Sequence, residues 1–293
     1  MSDQKTETST GKRPLVSRRW LLRRFLGASF TIGAAVGGAK LEAEDLVVTR
    51  TDVTLPRLPK SGNGIKIGFL SDFHADYAGA VHRVERAARM LMAENPDITF
   101  VGGDYISDHT TRGLLPAAIE ALSSLTTAPR GAYAIMGNHD CWSGTKVLAA
   151  KLLKRTGFTV LNNRSEPFPG VPGAYIVGLD DAWCGYMDVA QALKGVPHNS
   201  FKLVALHEPD FADSIGEGFD LQLSGHSHGG QVRIPFLPVI QVPEYSRKYP
   251  EGLQHAQNHL VYTTRGVGMV GPQVRTFCAP EVTILTLHSV QTA

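Results

Sequence analysis

Five short apolar runs in this 293-residue chain each stop at a polar residue of one narrow kind: Asp, Asn or His. Ile65–Leu70 leads into Ser71-Asp72-Phe73-His74, and Asp97–Val101 into Gly102-Gly103-Asp104. Ala132–Met136 leads into Gly137-Asn138-His139-Asp140, Phe201–Leu206 into His207, and Phe219–Leu223 into Ser224-Gly225-His226-Ser227-His228. Runs of this length and composition read as buried strands. Extended backbone alternates its side chains, so Asp72 and His74 leave their strand end on one side. A single Asp-x-His is ordinary loop chemistry. Five such ends restrict the fold, because their oxygen and nitrogen donors suit a hard or borderline metal when the ends converge.

The segments between these runs set the architecture. Val81–Ala93 carries apolar residues at helical spacing and stops before Asn95-Pro96, and further helices are expected over Pro116–Leu125 and Thr145–Arg155. A short strand is expected at Thr159–Leu161. Alternating strand and helix predicts an α/β protein with parallel strands joined by right-handed crossovers. The second half carries short strand candidates at Ala174–Leu179, Lys202–Leu206, Leu221–Leu223, Gln231–Ile234, Leu260–Thr264 and Val282–Leu287, with few helices. Two mixed sheets packed face to face, with helices outside, suit this order. Residues 46–63 contain Pro56 and Pro59 and end in Ser-Gly-Asn-Gly, which predicts an extended lead-in to a domain spanning 64–290.

The formal charge of +2 conceals an uneven distribution. Residues 1–45 hold eight of the 29 Lys/Arg and five of the 27 Asp/Glu, which leaves 21 against 22 in the remainder. The body is near neutral and carries no basic field, so nucleic acid is not an expected partner. The basic excess lies in Ser17-Arg18-Arg19-Trp20-Leu21-Leu22-Arg23, followed by uncharged Phe25–Ala39. That layout is a basic n-region before an apolar h-region, and Ser-Arg-Arg-x-apolar-apolar is similar to a twin-arginine signal. The apolar run would span about 22 Å as a helix, against roughly 30 Å of bilayer hydrocarbon. Residues 1–45 are therefore expected to be an export signal or an N-terminal membrane anchor. Its partner would be the twin-arginine export machinery, and its destination the periplasm or the outer face of the cytoplasmic membrane. A basic arm on a cytoplasmic protein is the competing reading.

Three cysteines, Cys141, Cys184 and Cys278, are odd in number and far apart, so no disulfide framework is expected and Cys141 reads as a buried thiol. Phe236–Ile240 is expected to pack structurally or to contact a lipid or aromatic leaving group. Arg265 and Arg275 are expected in surface or inter-sheet ion pairs.

In order and spacing, Asp72-x-His74, Gly103-Asp104, Gly137-Asn138-His139-Asp140, His207 and Gly225-His226-Ser227-His228 resemble the signature of the calcineurin-like metallophosphoesterases over about residues 64–290. The leader, Leu206-His207-Glu208-Pro209-Asp210 and Arg275-x-Phe277 with Pro280-Glu281 resemble the exported bacterial phosphodiesterases of that family. The resemblance implies an α-β-β-α sandwich. It implies that Asp72, His74 and His228 hold one divalent metal ion, that Asn138, His207 and His226 hold a second, and that Asp104 bridges them. The ions would be Mn, Fe, Zn or Co, since mixed N/O donors do not select among these.

The implied reaction is attack on a phosphate ester by a metal-bridging hydroxide, with His139 as proton donor to the leaving oxygen. In the related protein phosphatases the second aspartate of Gly-Asp-x-x-Asp orients that histidine. Ser107 stands in its place here and Asp108 follows, so Asp108 is expected to orient His139, with Asp140 as the alternative. Those phosphatases next have an arginine, which suits a monoester dianion. Here His109 follows Asp108, and a diester is the expected substrate. A pyrophosphatase or phosphatase acting on a nucleotide-linked or envelope lipid is the alternative activity. A cell-envelope binding module that keeps its metals for stability is the non-enzymatic one.

Overall fold

The computed structural model describes residues 43–290 apart from 238 and 240. Residues 1–42 of the expected signal segment lie outside the described residues. Two six-stranded mixed sheets form the protein body. The first has the order β1 (Val47–Leu55), β12 (Glu281–Ser289), β2 (Lys66–Leu70), β3 (Ile98–Val101), β4 (Ala132–Ala134), β5 (Thr159–Val160). Its strands β2 to β5 are parallel, and β12 runs antiparallel to β2 but parallel to β1. The second has the order β10 (Gly252–His255), β11 (Leu260–Thr263), β9 (Leu221–Ser224), β8 (Phe201–Ala205), β7 (Ala174–Gly178), β6 (Arg164–Pro167). Here β7, β8, β9 and β11 are parallel, and the outer strands β6 and β10 are antiparallel to their neighbours.

Strand alternation explains the layers. Ile67 and Phe69 of β2 and Ile98 and Phe100 of β3 meet Leu203 and Ala205 of β8 and Leu221 and Leu223 of β9 in one buried cluster between the sheets. The other face of β2 and β3 presents Leu70 and Val101 to α1 (Ala78–Ala93), α2 (Leu115–Glu120) and α4 (Lys146–Thr156) through Val84, Leu91, Ile119 and Leu153. Beyond the second sheet, Val177, Val204 and Leu206 pack with Ile215, Phe219 and Ala192 of α5 (Val189–Ala192). The result is the expected α/β sandwich with helices outside.

Several local expectations change. The segment read as a lead-in is extended but is a full strand of the first sheet: β1 pairs with β12 from Val47 to Leu55. Its alternation was muted because only Val53 and Leu55 are buried, while Arg50 and Asp52 belong to an open edge. Gln231–Ile234 is no strand. It forms one parallel bridge, Val232 to Thr276, since Gly229 and Gly230 ahead of it and Pro235 behind it turn the chain. The edge strands β6 and β10 escaped the sequence reading because edges need little apolar surface. Cys141 is not a free thiol: it forms a disulfide with Cys184, 43 residues away.

Candidate metal centre and active site

The five polar run-ends leave β2, β3, β4, β8 and β9, all at the carboxyl ends of parallel neighbours. The two sheets bring these ends together. Asp72, His74 and His228 form one group of potential metal donors, and Asp104, His207 and His226 another, each with its ligand atoms within 4.8 Å of one another. His74 Nε2 lies 3.2 Å from His228 Nε2 and 3.6 Å from Asp104 Oδ2. His207 Nε2 lies 3.2 Å from Asp104 Oδ2 and 3.9 Å from Asp72 Oδ1. Asn138, at the start of the short helix α3 (Asn138–Trp142), is buried with them.

Backbone that brings so many polar groups to one point is unusual. Among the described residues eleven non-glycine positions have positive φ, and Asp72, His74, Asp104, His226 and His228 are five of them. Such strain collects where function requires it. The approach of the loops is also steric. A Cβ on Gly137 would stand 2.3 Å from Asp104 Oδ1, and one on Gly103 (φ +92°) 2.2 Å from Gly137 N.

The donors fit a cation. Asp72 Oδ2, Asn138 Oδ1, His207 Nε2 and His228 Nδ1 are buried without a hydrogen-bond partner. Folded proteins seldom leave such atoms unsatisfied, and a bound ion is one way to satisfy them. The imidazoles are also preset. His207 Nδ1–H donates to the Gly102 carbonyl at 2.6 Å, and His226 Nε2–H donates to the Glu244 carbonyl at 2.8 Å. Since a carbonyl only accepts, the opposite ring nitrogen is left with its lone pair free for a metal. Burial pulls His74 down to about 3 and His226 down to about 4, and it holds His228 well below its ordinary value, with His74 and Arg275 adding to the effect. All three are neutral imidazoles, the form that binds metal. His207 behaves oppositely: burial lowers it, but the charge and hydrogen bond of Asp104, with Asp72 and Glu208, together outweigh burial and hold its proton well above the usual range. That proton occupies the position a cation would take.

The residue that organises this region is Ser107. Its hydroxyl donates to Asp76 and accepts from His74 Nδ1–H at 2.8 Å. Its carbonyl accepts from His139 Nδ1–H at 2.7 Å. The expected orienter, Asp108, does neither. It is exposed, accepts from Thr110 N at 2.6 Å, and caps a 3₁₀ turn. Asp140 does not reach His139 either; its carboxylate accepts from the backbone N–H groups of Gly137, Asp104 and Tyr105, pinning two of the site loops together. Arg275 corrects a further expectation. It is fully buried, and its guanidinium donates to the carbonyls of Arg265, Gly266, Gly268, His228 and Cys278 instead of forming an ion pair. The loop it gathers donates in turn to the Ser71 and Asp72 carbonyls through Val267 N and Gly268 N. Arg265 does form ion pairs, with Glu281 at 3.5 Å and Glu251 at 4.0 Å.

Two openings adjoin these donors. A cavity of about 150 Å³ is lined by Asp104, Asn138, His139 and His226 together with Trp142 and Trp183. A groove of about 680 Å³ shares His228, Pro243 and Val270 with it and continues along Val232, Ile234 and Val242. No sequence motif marked Trp142, Trp183 or Asp76 as site residues, and the motif position of Ser107 was passed over for Asp108.

A two-sheet sandwich with neutral histidines and carboxylates gathered at its strand ends has the donor set of a divalent-metal site. The chain belongs to the calcineurin-like phosphoesterases, whose sequence profile matches residues 65–230. It is 31% identical to the uncharacterized metallophosphoesterase YkuE of Bacillus subtilis, over 94% of this chain and 98% of that protein. It is 34% identical to phosphodiesterase YaeI of Escherichia coli, over 76% of this chain and 82% of that protein. A metallophosphoesterase of Aquifex aeolicus is 28% identical over 84% of this chain and 94% of its own length.

Replacing Ser107 with alanine removes the hydroxyl between His74 and Asp76 and keeps the carbonyl on His139. Affinity for a divalent metal, read by competition with a chelator, is expected to fall about 10- to 100-fold. Unchanged affinity would show that packing alone fixes the His74 ring.

Proposed function

We propose that this chain is a phosphodiesterase that uses two divalent metal ions and acts outside the cytoplasmic membrane. The observation that carries the reading is the convergence of seven donors, Asp72, His74, Asp104, Asn138, His207, His226 and His228, beside a histidine whose Nδ1 is already engaged. Asp72, His74 and His228 would hold one ion, Asn138, His207 and His226 the other, and Asp104 both. Bound metals supply charge neutralisation at the phosphoryl oxygens and lower the pKa of water.

The protein's own groups do the rest. Ser107 holds the His139 ring so that Nε2 is the nitrogen left to deliver a proton to the leaving oxygen. The His139 N–H donates to Asp104 Oδ1 at 2.9 Å, which ties the acid and the shared carboxylate to one short helix. The preference for a diester is supported by the pocket lining, which contains no Lys or Arg among the described residues. A monoester dianion would gain most from such a cation, and a diester monoanion needs it less. The curated relative YaeI is itself named a phosphodiesterase.

A second reading has its own support. The apolar groove beside His228, with Phe236 and Leu237 exposed nearby, suits an ester or pyrophosphate of an envelope lipid. On either reading the substrate is a phosphoester.

The deciding measurement compares kcat/KM for bis(p-nitrophenyl) phosphate and p-nitrophenyl phosphate on one metal-loaded preparation. The diester is expected to be favoured, and a monoester advantage of tenfold or more would overturn the preference. His139→Ala should keep its metal content and lose about 10²- to 10⁴-fold in turnover. A metal-free variant would refute the division of roles, and failure to turn over any phosphoester would return the binding-module reading.

Export rests on the Ser17-Arg18-Arg19 leader and is supported by the Cys141–Cys184 disulfide, a bond that persists in oxidising compartments. Replacing Arg18 and Arg19 by lysine preserves charge while altering a receptor-read address. The double variant is expected to stay in the cytoplasm, and its normal appearance outside would show that the leader is read differently.

A further inference from the structure

Two tryptophans stand beside the candidate metal donors, and a disulfide joins the residues next to them in sequence. Trp142 ends α3, one turn beyond His139, and its ring meets that histidine edge-on at a centroid distance of 5.1 Å. Trp183 lies in the loop after β7 and meets His226 edge-on at 5.6 Å and Tyr245 at 5.4 Å. The two indoles are 4.6 Å apart and inclined at 75°. Cys141 directly precedes the first tryptophan and Cys184 directly follows the second, so the disulfide closes the pair from behind.

The loop carrying Trp183 is held by carboxylates that accept from its backbone. Asp181 accepts from the backbone N–H groups of Cys184 and Gly185, Glu208 from that of Ala182, and Asp180 from that of Tyr186 and from Lys146 Nζ. The sandwich itself does not require these rings. Neither indole belongs to any of the three buried apolar clusters, and Trp142 remains 49% exposed. Both line the small cavity with His139, Asn138 and Asp104.

We propose that Trp142 and Trp183 form the subsite for the organic group of the substrate, and that this group is a flat aromatic ring. The proposal rests on the phosphodiesterase reading and deepens it. Two indoles near a right angle present a face and an edge at one corner, and a third ring can stack on one while meeting the edge of the other. Such contacts discriminate a flat group from a saturated one more than one ring from another. The disulfide and the Asp181 network hold the corner in place before substrate arrives, which lowers the entropy lost on binding.

The test is equilibrium binding, measured by titration calorimetry on the metal-loaded full chain with diphenyl phosphate and dimethyl phosphate. Both are monoanionic diesters, and they differ in the rings. Diphenyl phosphate is expected to bind at least about tenfold more tightly, and Trp142→Ala and Trp183→Ala are each expected to reduce that ratio about three- to tenfold. Trp183→Phe keeps a ring and should retain most of the preference. The double variant Cys141→Ser with Cys184→Ser keeps both indoles yet should lose part of it. Equal affinities in the parent protein, or a ratio that survives both alanine substitutions, would overturn the proposal. A protein that turns over no p-nitrophenyl ester would remove the phosphodiesterase reading, while the binding ratio would still be decided.

Discussion

Everything near the active site follows from one electrostatic constraint: two buried carboxylates and four buried imidazoles share a space that water scarcely reaches. Burial, with the Asp104 charge adding to it and His207 opposing it, drives Asp72 up to about 6, so its charged form is disfavoured there unless a cation stands close. Asp104 escapes the same fate because burial, the largest influence taken singly, is outweighed by the charge and hydrogen bond of His207 together with His139 and His74. A protein that tolerates this arrangement has the rest of its structure working to maintain it. Arg275 spends its donors on five carbonyls under the site, Asp140 ties two loops through three N–H groups, and five donor residues accept left-handed backbone.

How much of this could be read in the chain depends on what kind of atom does the work. The donor set was legible because metal ligands are side chains of few types, and because strands under a parallel sheet carry unbroken apolar runs that make their ends conspicuous. Ser107 was not legible as the His139 orienter because the group involved is its carbonyl, which every residue has. Attention went instead to Asp108, which has the right chemistry and points elsewhere. The disulfide was hidden for a related reason: Cys141 and Cys184 are unremarkable in spacing, and only the fold brings the helix after β4 and the loop after β7 together, with their Cα atoms 6.1 Å apart. Arg275 misled because buried arginines are usually expected beside carboxylates, whereas here a curled loop supplies the acceptors.

Ser107 also joins two tasks that could have been separated. Its side chain steadies His74 and its main chain steadies His139, so a shift of the loop after β3 would move both rings together. The fixed relation between these rings, 4.9 Å apart and perpendicular, is a property of one residue more than of two.

The pairing of β1 with β12 has a consequence for how the chain comes to be folded. Val47 lies beside Glu281, and β12 sits between β1 and β2, so the first sheet is completed by residues far down the chain from its first strand. Until those residues leave the ribosome, β1 has no neighbour and β2 lacks one, and the pairing that joins them must close a loop of more than two hundred residues. The order of synthesis thus works as a timer. Any step that requires the finished sheet must therefore wait for β12.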